Sequence, residues 1–74
     1  MFSMINTRWV VAKADSKKSN MSVVVAVFMG EVAARETAND LVNIENLKNI
    51  RIAHVCYESA KVGRTIFTEK HVNI

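Results

Sequence analysis

Apolar positions change period along the chain, and each change marks an element. In "TRWVVAKA" (7–14), Trp9, Val11 and Lys13 alternate with Arg8, Val10 and Ala12, and this period of two with β-branched residues in the middle predicts a strand. "DSKKSN" (15–20) gathers turn-forming residues and two lysines, which predicts a hairpin loop with a cationic tip. The valine-rich run from Ser22 to Phe28 predicts a second strand, after which Gly30 marks the change of period. From Glu31 onward Ala34, Ala38, Leu41 and Val42 recur every three or four residues. That spacing puts them on one face of a helix of about three turns, with Arg35, Glu36, Asn39 and Asp40 largely outside it. The face is small in side-chain volume, so the helix can lie close to a sheet. Asn43 is a candidate left-handed C-cap, and "IENLKN" after it either extends the helix or connects to the next element.

"IRIAHVCYE" (50–58) sets Ile50, Ile52, His54 and Cys56 against Arg51, Ala53, Val55 and Tyr57, apolar on both faces as in a central strand. "SAKVG" predicts a turn, and "RTIFTE" (64–69) a fourth strand with Ile66 and Phe67 on opposite faces; "KHVNI" prolongs it or frays. The expected fold is α+β, a four-stranded antiparallel sheet in a ββαββ order with one helix on one face. A crossover through the helix makes strands 2 and 3 parallel with strand 1 between them, giving a spatial order 2-1-3-4 with strands 1 and 3 in the middle. The Lys17/Lys18 loop and the Lys61/Arg64 turn then sit at opposite ends, on the order of 20 Å apart. One helix covers one face only. Either the segment with Phe2, Met4 and Ile5 folds over the other, or that face or an open sheet edge is an interaction surface.

Composition narrows the class. The 74 residues form a single small domain, 1–74, half hydrophobic, 23% charged and without proline, as expected of a folded soluble domain. One cysteine excludes an internal disulfide framework, and with no secretory leader in "MFSMINTRWVVAK" a cytoplasmic location is expected, with Met1 or Met4 as the start. The apolar run 23–29 is too short to span a bilayer. The net charge of +3 comes from Lys and Arg spread along the chain, compatible with nucleic acid or an acidic protein surface as partner.

Candidate chemistry is sparse. His54 and Cys56 project the same way from one strand, but no third group orients a dyad, and only His71 and scattered carboxylates remain as further metal ligands. Both are expected to pack in the core or half-buried, Cys56 above all. With two glycines there is no phosphate-cradling loop, so no catalytic residue, cofactor or metal is expected. Glu31 suits a helix N-terminus, and Glu36 and Asp40 form a solvated face with Arg35. Trp9, Tyr57 and Phe67 on a basic sheet would suit base stacking, with phosphate contacts from Lys17, Lys18, Lys61 and Arg64. The strands lack the glycine- and aromatic-rich pattern of RNA-recognition motifs, however, and ββαββ is not that order.

The stretch "RWVVAKADSKKSNMSVVVAVFMGEVAARETANDL", a short hairpin and then a helix rich in Ala and Arg, resembles small early proteins of lytic bacteriophages. Among these, size and charge bring it nearest to the regulators that bind host RNA polymerase. The resemblance implies a non-catalytic protein that inhibits initiation or promotes antitermination, an apolar patch anchoring it while basic loops lie near an acidic surface or emerging RNA. Exposure and charge nominate Arg8, Trp9, Lys17, Lys18, Lys61 and Arg64 as partner-binding residues. The alternatives are a nucleic-acid-binding domain and a homodimeric structural or enzyme subunit that hides its open face against a second copy.

Overall fold

The computed structural model describes residues 6–68; the expectations placed on Phe2, Met4 and Ile5, on His71 and on "KHVNI" fall outside the described residues. Along the chain come β1 (Thr7–Lys13), β2 (Met21–Phe28), α1 (Glu31–Asn43), β3 (Ile50–Cys56), a short 3₁₀ turn (Tyr57–Ser59) and β4 (Thr65–Phe67). The strands form one four-stranded antiparallel sheet, and the helix between β2 and β3 makes the fold α+β.

As the crossover requires, β1 lies between β2 and β3 and is antiparallel to both. The position of β4 differs from expectation. It pairs with β2, Met21 opposite Phe67 and Val23 opposite Thr65, so the spatial order is β3-β1-β2-β4. Strands 1 and 2, not 1 and 3, occupy the middle, and β3 is paired with β1 alone among the described strands.

This correction answers what covers the second face. Since β3 and β4 lie on opposite sides of the β1–β2 pair, residues 57–64 must cross both strands. They do so as a strap on the side away from the helix. The helix side holds Val11, Ala34, Ala38, Ile50 and Ile52, with Trp9, Phe28, Leu41 and Val42 half-buried around them. The strap side holds Val10, Ala12, Val24, Ala53, Ala60 and Ile66, flanked by Val27 and Val55. A hairpin from β3 straight into β4 would have left Val10 and Val24 open to water, at about 1.5–3 kcal/mol for each large side chain. Ala60 has no bulk beyond Cβ, so the strap's backbone comes close to the sheet.

Backbone hydrogen bonds fasten the strap at both ends. The Tyr57 N–H donates to the Asn6 carbonyl (2.9 Å), the Gly63 N–H to Val24 (2.8 Å) and the Val24 N–H to Arg64 (2.9 Å). Gly63 adopts φ 91°, a left-handed conformation in which a side chain would be strained. Val24 sits at a bulge: Val11 pairs with Ala26 but Ala12 with Val24, which leaves Val25 as the extra residue. The bulge keeps Val24 and Val27, an odd number of residues apart, on the same face.

The helix forms as its spacing predicts. Ala34 and Ala38 are fully buried, and Glu31 in the first turn accepts a hydrogen bond from the Arg35 Nε at 2.7 Å. The helix stops differently. Asn43 is its last residue, and the left-handed conformation falls on Asn46 (φ 59°) and Asn49 (φ 61°) in the loop that "IENLKN" becomes. Ile44 and Glu45 both donate backbone N–H groups to the Asp40 carbonyl, and Leu47 to Leu41, which closes the end without a left-handed cap.

Ala38→Leu should lower unfolding free energy by about 1–3 kcal/mol, because a larger side chain has no room between helix and sheet. Val32→Ala, on the outer side of the same helix where Val32 is 72% exposed, should change it by less than about 0.5 kcal/mol. Urea denaturation of the two variants measures the contrast.

Candidate functional site

Strand alternation sorts the nominated residues onto two sides. Arg8 lies on the strap side with Val10, and it reaches Tyr57, the first residue of the strap. Its guanidinium carbon is 5.0 Å from the Tyr57 ring centroid, and the Lys61 ammonium is 4.0 Å from the same centroid. The phenol ring is therefore the organiser of a cationic cluster at the end of the sheet where β3 finishes. Arg8 is further oriented by bonds to the Asn6 side chain (2.7 Å) and the Thr7 carbonyl (2.8 Å). Tyr57 was legible in the sequence only as an aromatic residue at a strand end. Its cationic neighbours come from β1 and the strap, which spacing along the chain does not connect.

Arg64 is not at that end. Its carbonyl accepts from Val24, so the strap has already descended halfway along β2 where Arg64 sits. The Lys61/Arg64 pair is thus spread along the sheet, with only Lys61 at the end opposite the β1–β2 hairpin.

Lys17 and Lys18 are exposed at the tip of that hairpin. What holds the tip is Arg51, which the sequence does not distinguish from any other strand arginine. Arg51 stands on the strap side opposite Ala12 and is 4% exposed. Its guanidinium donates to the carbonyls of Ser16 (3.4 Å), Lys17 (3.1 Å) and Ser19, and to the hydroxyls of Ser22 (3.4 Å) and Thr68 (3.0 Å). Ser22 and Thr68 also bond each other at 2.6 Å. Among the described residues these acceptors are all neutral, so several of them share the stabilisation of one buried cation. The consequence is positional: loop carbonyls drawn to a side chain on the strap side turn the hairpin tip toward that side.

Trp9 is on the helix side. It stacks on His54, with ring centroids 4.4 Å apart and planes 4° from parallel, and His54 shares a hydrogen bond of 2.8 Å with the Thr7 hydroxyl. Trp9 is half-buried against the helix-side core and so serves packing at the edge of that core. His54 and Cys56 do share a face, as alternation requires. Cys56 is exposed, not in the core, because β3 runs past the region that the helix covers; its Sγ contacts the Ser59 hydroxyl at 3.5 Å. Phe67, 58% exposed, lies opposite Met21, which places it on the side away from buried Ile66. Trp9, Tyr57 and Phe67 therefore form no common stacking platform.

The helix side carries an apolar patch. Met21 (43% exposed), Val23 (41%) and Phe67 (58%) are neighbours across the β2–β4 pair, beyond the reach of the helix. Beside them a groove of about 130 Å³ is lined by Lys13, Asp15, Ser19, Met21 and Val23. Sites for drug-sized ligands are larger, roughly 300–1,000 Å³. Among the described residues no three His, Cys, Asp or Glu side chains come together as metal ligands, and no helix is long and apolar enough to cross a membrane. No known family model, curated protein or solved structure matches the chain.

Arg51→Met should destabilise the fold by about 2–4 kcal/mol, since it removes the donor to two buried hydroxyls and three loop carbonyls. Lys17→Ala with Lys18→Ala should leave stability within about 0.5 kcal/mol. Urea midpoints distinguish a brace from a solvated tip, and equal effects would contradict this assignment.

Proposed function

We propose that the chain is a small non-catalytic regulatory protein that docks on a bacterial macromolecular machine, with RNA polymerase as the target, and acts by occupying its surface. The observation that carries the docking is the patch of Met21, Val23 and Phe67. Three large apolar side chains, each between 41% and 58% exposed, lie together on a sheet whose two cores are packed by its own helix and strap. Such a contiguous patch gains free energy when a partner covers it. The choice of RNA polymerase, and with it inhibition of initiation or antitermination in a host cytoplasm, rests on the resemblance of the 8–41 stretch to early phage regulators. A steric mode of action suits a chain whose groove beside the patch is too small to enclose a substrate.

Affinity capture with tagged protein from nuclease-treated bacterial lysate is the test. RNA polymerase subunits should be retained by the wild-type chain and reduced at least tenfold by Met21→Ser with Phe67→Ser, two exposed positions whose substitution leaves the core intact. Retention unaffected by the double substitution would remove the patch from the reading, and absence of polymerase subunits would remove the target. A concentration-dependent dimer in sedimentation, abolished by the same substitutions, would reassign the patch to a second copy of the chain.

A further inference from the structure

Among the described residues charge is unevenly distributed between the two sides, with Lys13 the β1 cation on the helix side. The helix presents Glu31, Glu36 and Asp40, with Arg35 already paired to Glu31 at 2.7 Å. The strap side presents Arg8 and Lys61 around Tyr57 at one end, Arg64 midway beside Val24, and the Lys17/Lys18 tip at the other end, turned to that side by Arg51. Asp15 and Glu58 are the exposed acids of its two ends. Arg8 and the hairpin lie at the two ends of β1, seven residues long, or about 20 Å at strand rise, with Arg64 between them beside β2.

We propose that this side is a contact surface for the phosphate backbone of a nucleic acid strand. A row of cations along the full length of the sheet matches an anion that repeats its charge at short, regular intervals, and the phosphate backbone does so. An acidic protein surface would bring a desolvated apolar centre as well, for which the strap side offers only Tyr57 and Val62 among the described residues. The apolar patch on the helix side is separate, so a nucleic acid strand and a docked protein can be held at the same time. Because Tyr57 alone of Trp9, Tyr57 and Phe67 lies on the strap side, binding comes from the backbone and is indifferent to base sequence. The inference stands whether or not RNA polymerase is the docking partner, because its test uses purified components only.

Fluorescence anisotropy with labelled 12-nucleotide single-stranded RNAs of two unrelated sequences measures it. Both should bind with the same affinity, and with three to five phosphates neutralised that affinity should fall roughly 20- to 130-fold between 50 and 200 mM salt. Lys17→Glu/Lys18→Glu and Lys61→Glu/Arg64→Glu should each weaken binding more than tenfold. Arg35→Glu/Lys48→Glu, with the same change in net charge but on the helix and in the loop between it and β3, should weaken it less than threefold. Folding of every variant is checked by circular dichroism, and the two strap-side pairs are independent of one another. Failure to bind at 50 mM salt, equal weakening by all three pairs, an effect confined to one strap-side pair, or binding to polyglutamate as tight as to RNA would each overturn the proposal.

Discussion

A chain with one helix and a sheet apolar on both faces must find a second cover, and the rest of this structure follows from how it does so. The cover is the connection between β3 and β4. To reach across the sheet it must leave from one edge and arrive at the other, which places β4 beside β2 and makes β1 and β2 the inner strands. Ala60 and Gly63 make the crossing possible: the first lets the backbone approach Val10 and Ala53, the second turns it onto Val24. Each face then has its own core, the helix packing through alanines and the strap through one more.

The strap's arrival also determines the polar interior. β4 carries Thr68 at its end to within reach of Ser22, and the two hydroxyls receive Arg51 together with the hairpin carbonyls. A buried guanidinium with neutral partners is stabilising only while all of those partners are in place, so the hairpin, β3 and the end of β4 are tied into one cooperative unit. The same bonds aim the hairpin. A side chain that looks like an internal structural requirement thereby holds the backbone of the loop that carries two surface lysines.

Surface chemistry divides along the same line. The strap side is cationic with Tyr57 as the ring that gathers Arg8 and Lys61, and the helix side is acidic along α1 and apolar beyond it at Met21, Val23 and Phe67. Nominating Arg8, Lys17, Lys18, Lys61 and Arg64 needed only charge and loop position. Their common side needed the fold, because it depends on the strap's path and on Arg51. Trp9 shows the converse. Its aromatic character invites a binding role, whereas its strand parity puts it against the helix and His54.

Sequence alone determined whatever rests on local periodicity: a strand within 7–14, the valine strand, the helix face of Ala34, Ala38, Leu41 and Val42, the opposite faces of Ile66 and Phe67, and the α+β class with β1 between β2 and β3. These depend on neighbours two to four residues apart and on the antiparallel sense of a short hairpin. Only the tertiary structure decided the edge at which β4 pairs, since "SAKVG" could turn back on β3 or cross the sheet. Burial of a whole face favours the crossing, and that gain is invisible to any local window. It decided equally that Cys56 is exposed, that Asn46 and Asn49 take the left-handed conformation that Asn43 does not, and that Arg51 is buried. Each of those outcomes depends on which distant segment lies opposite the residue.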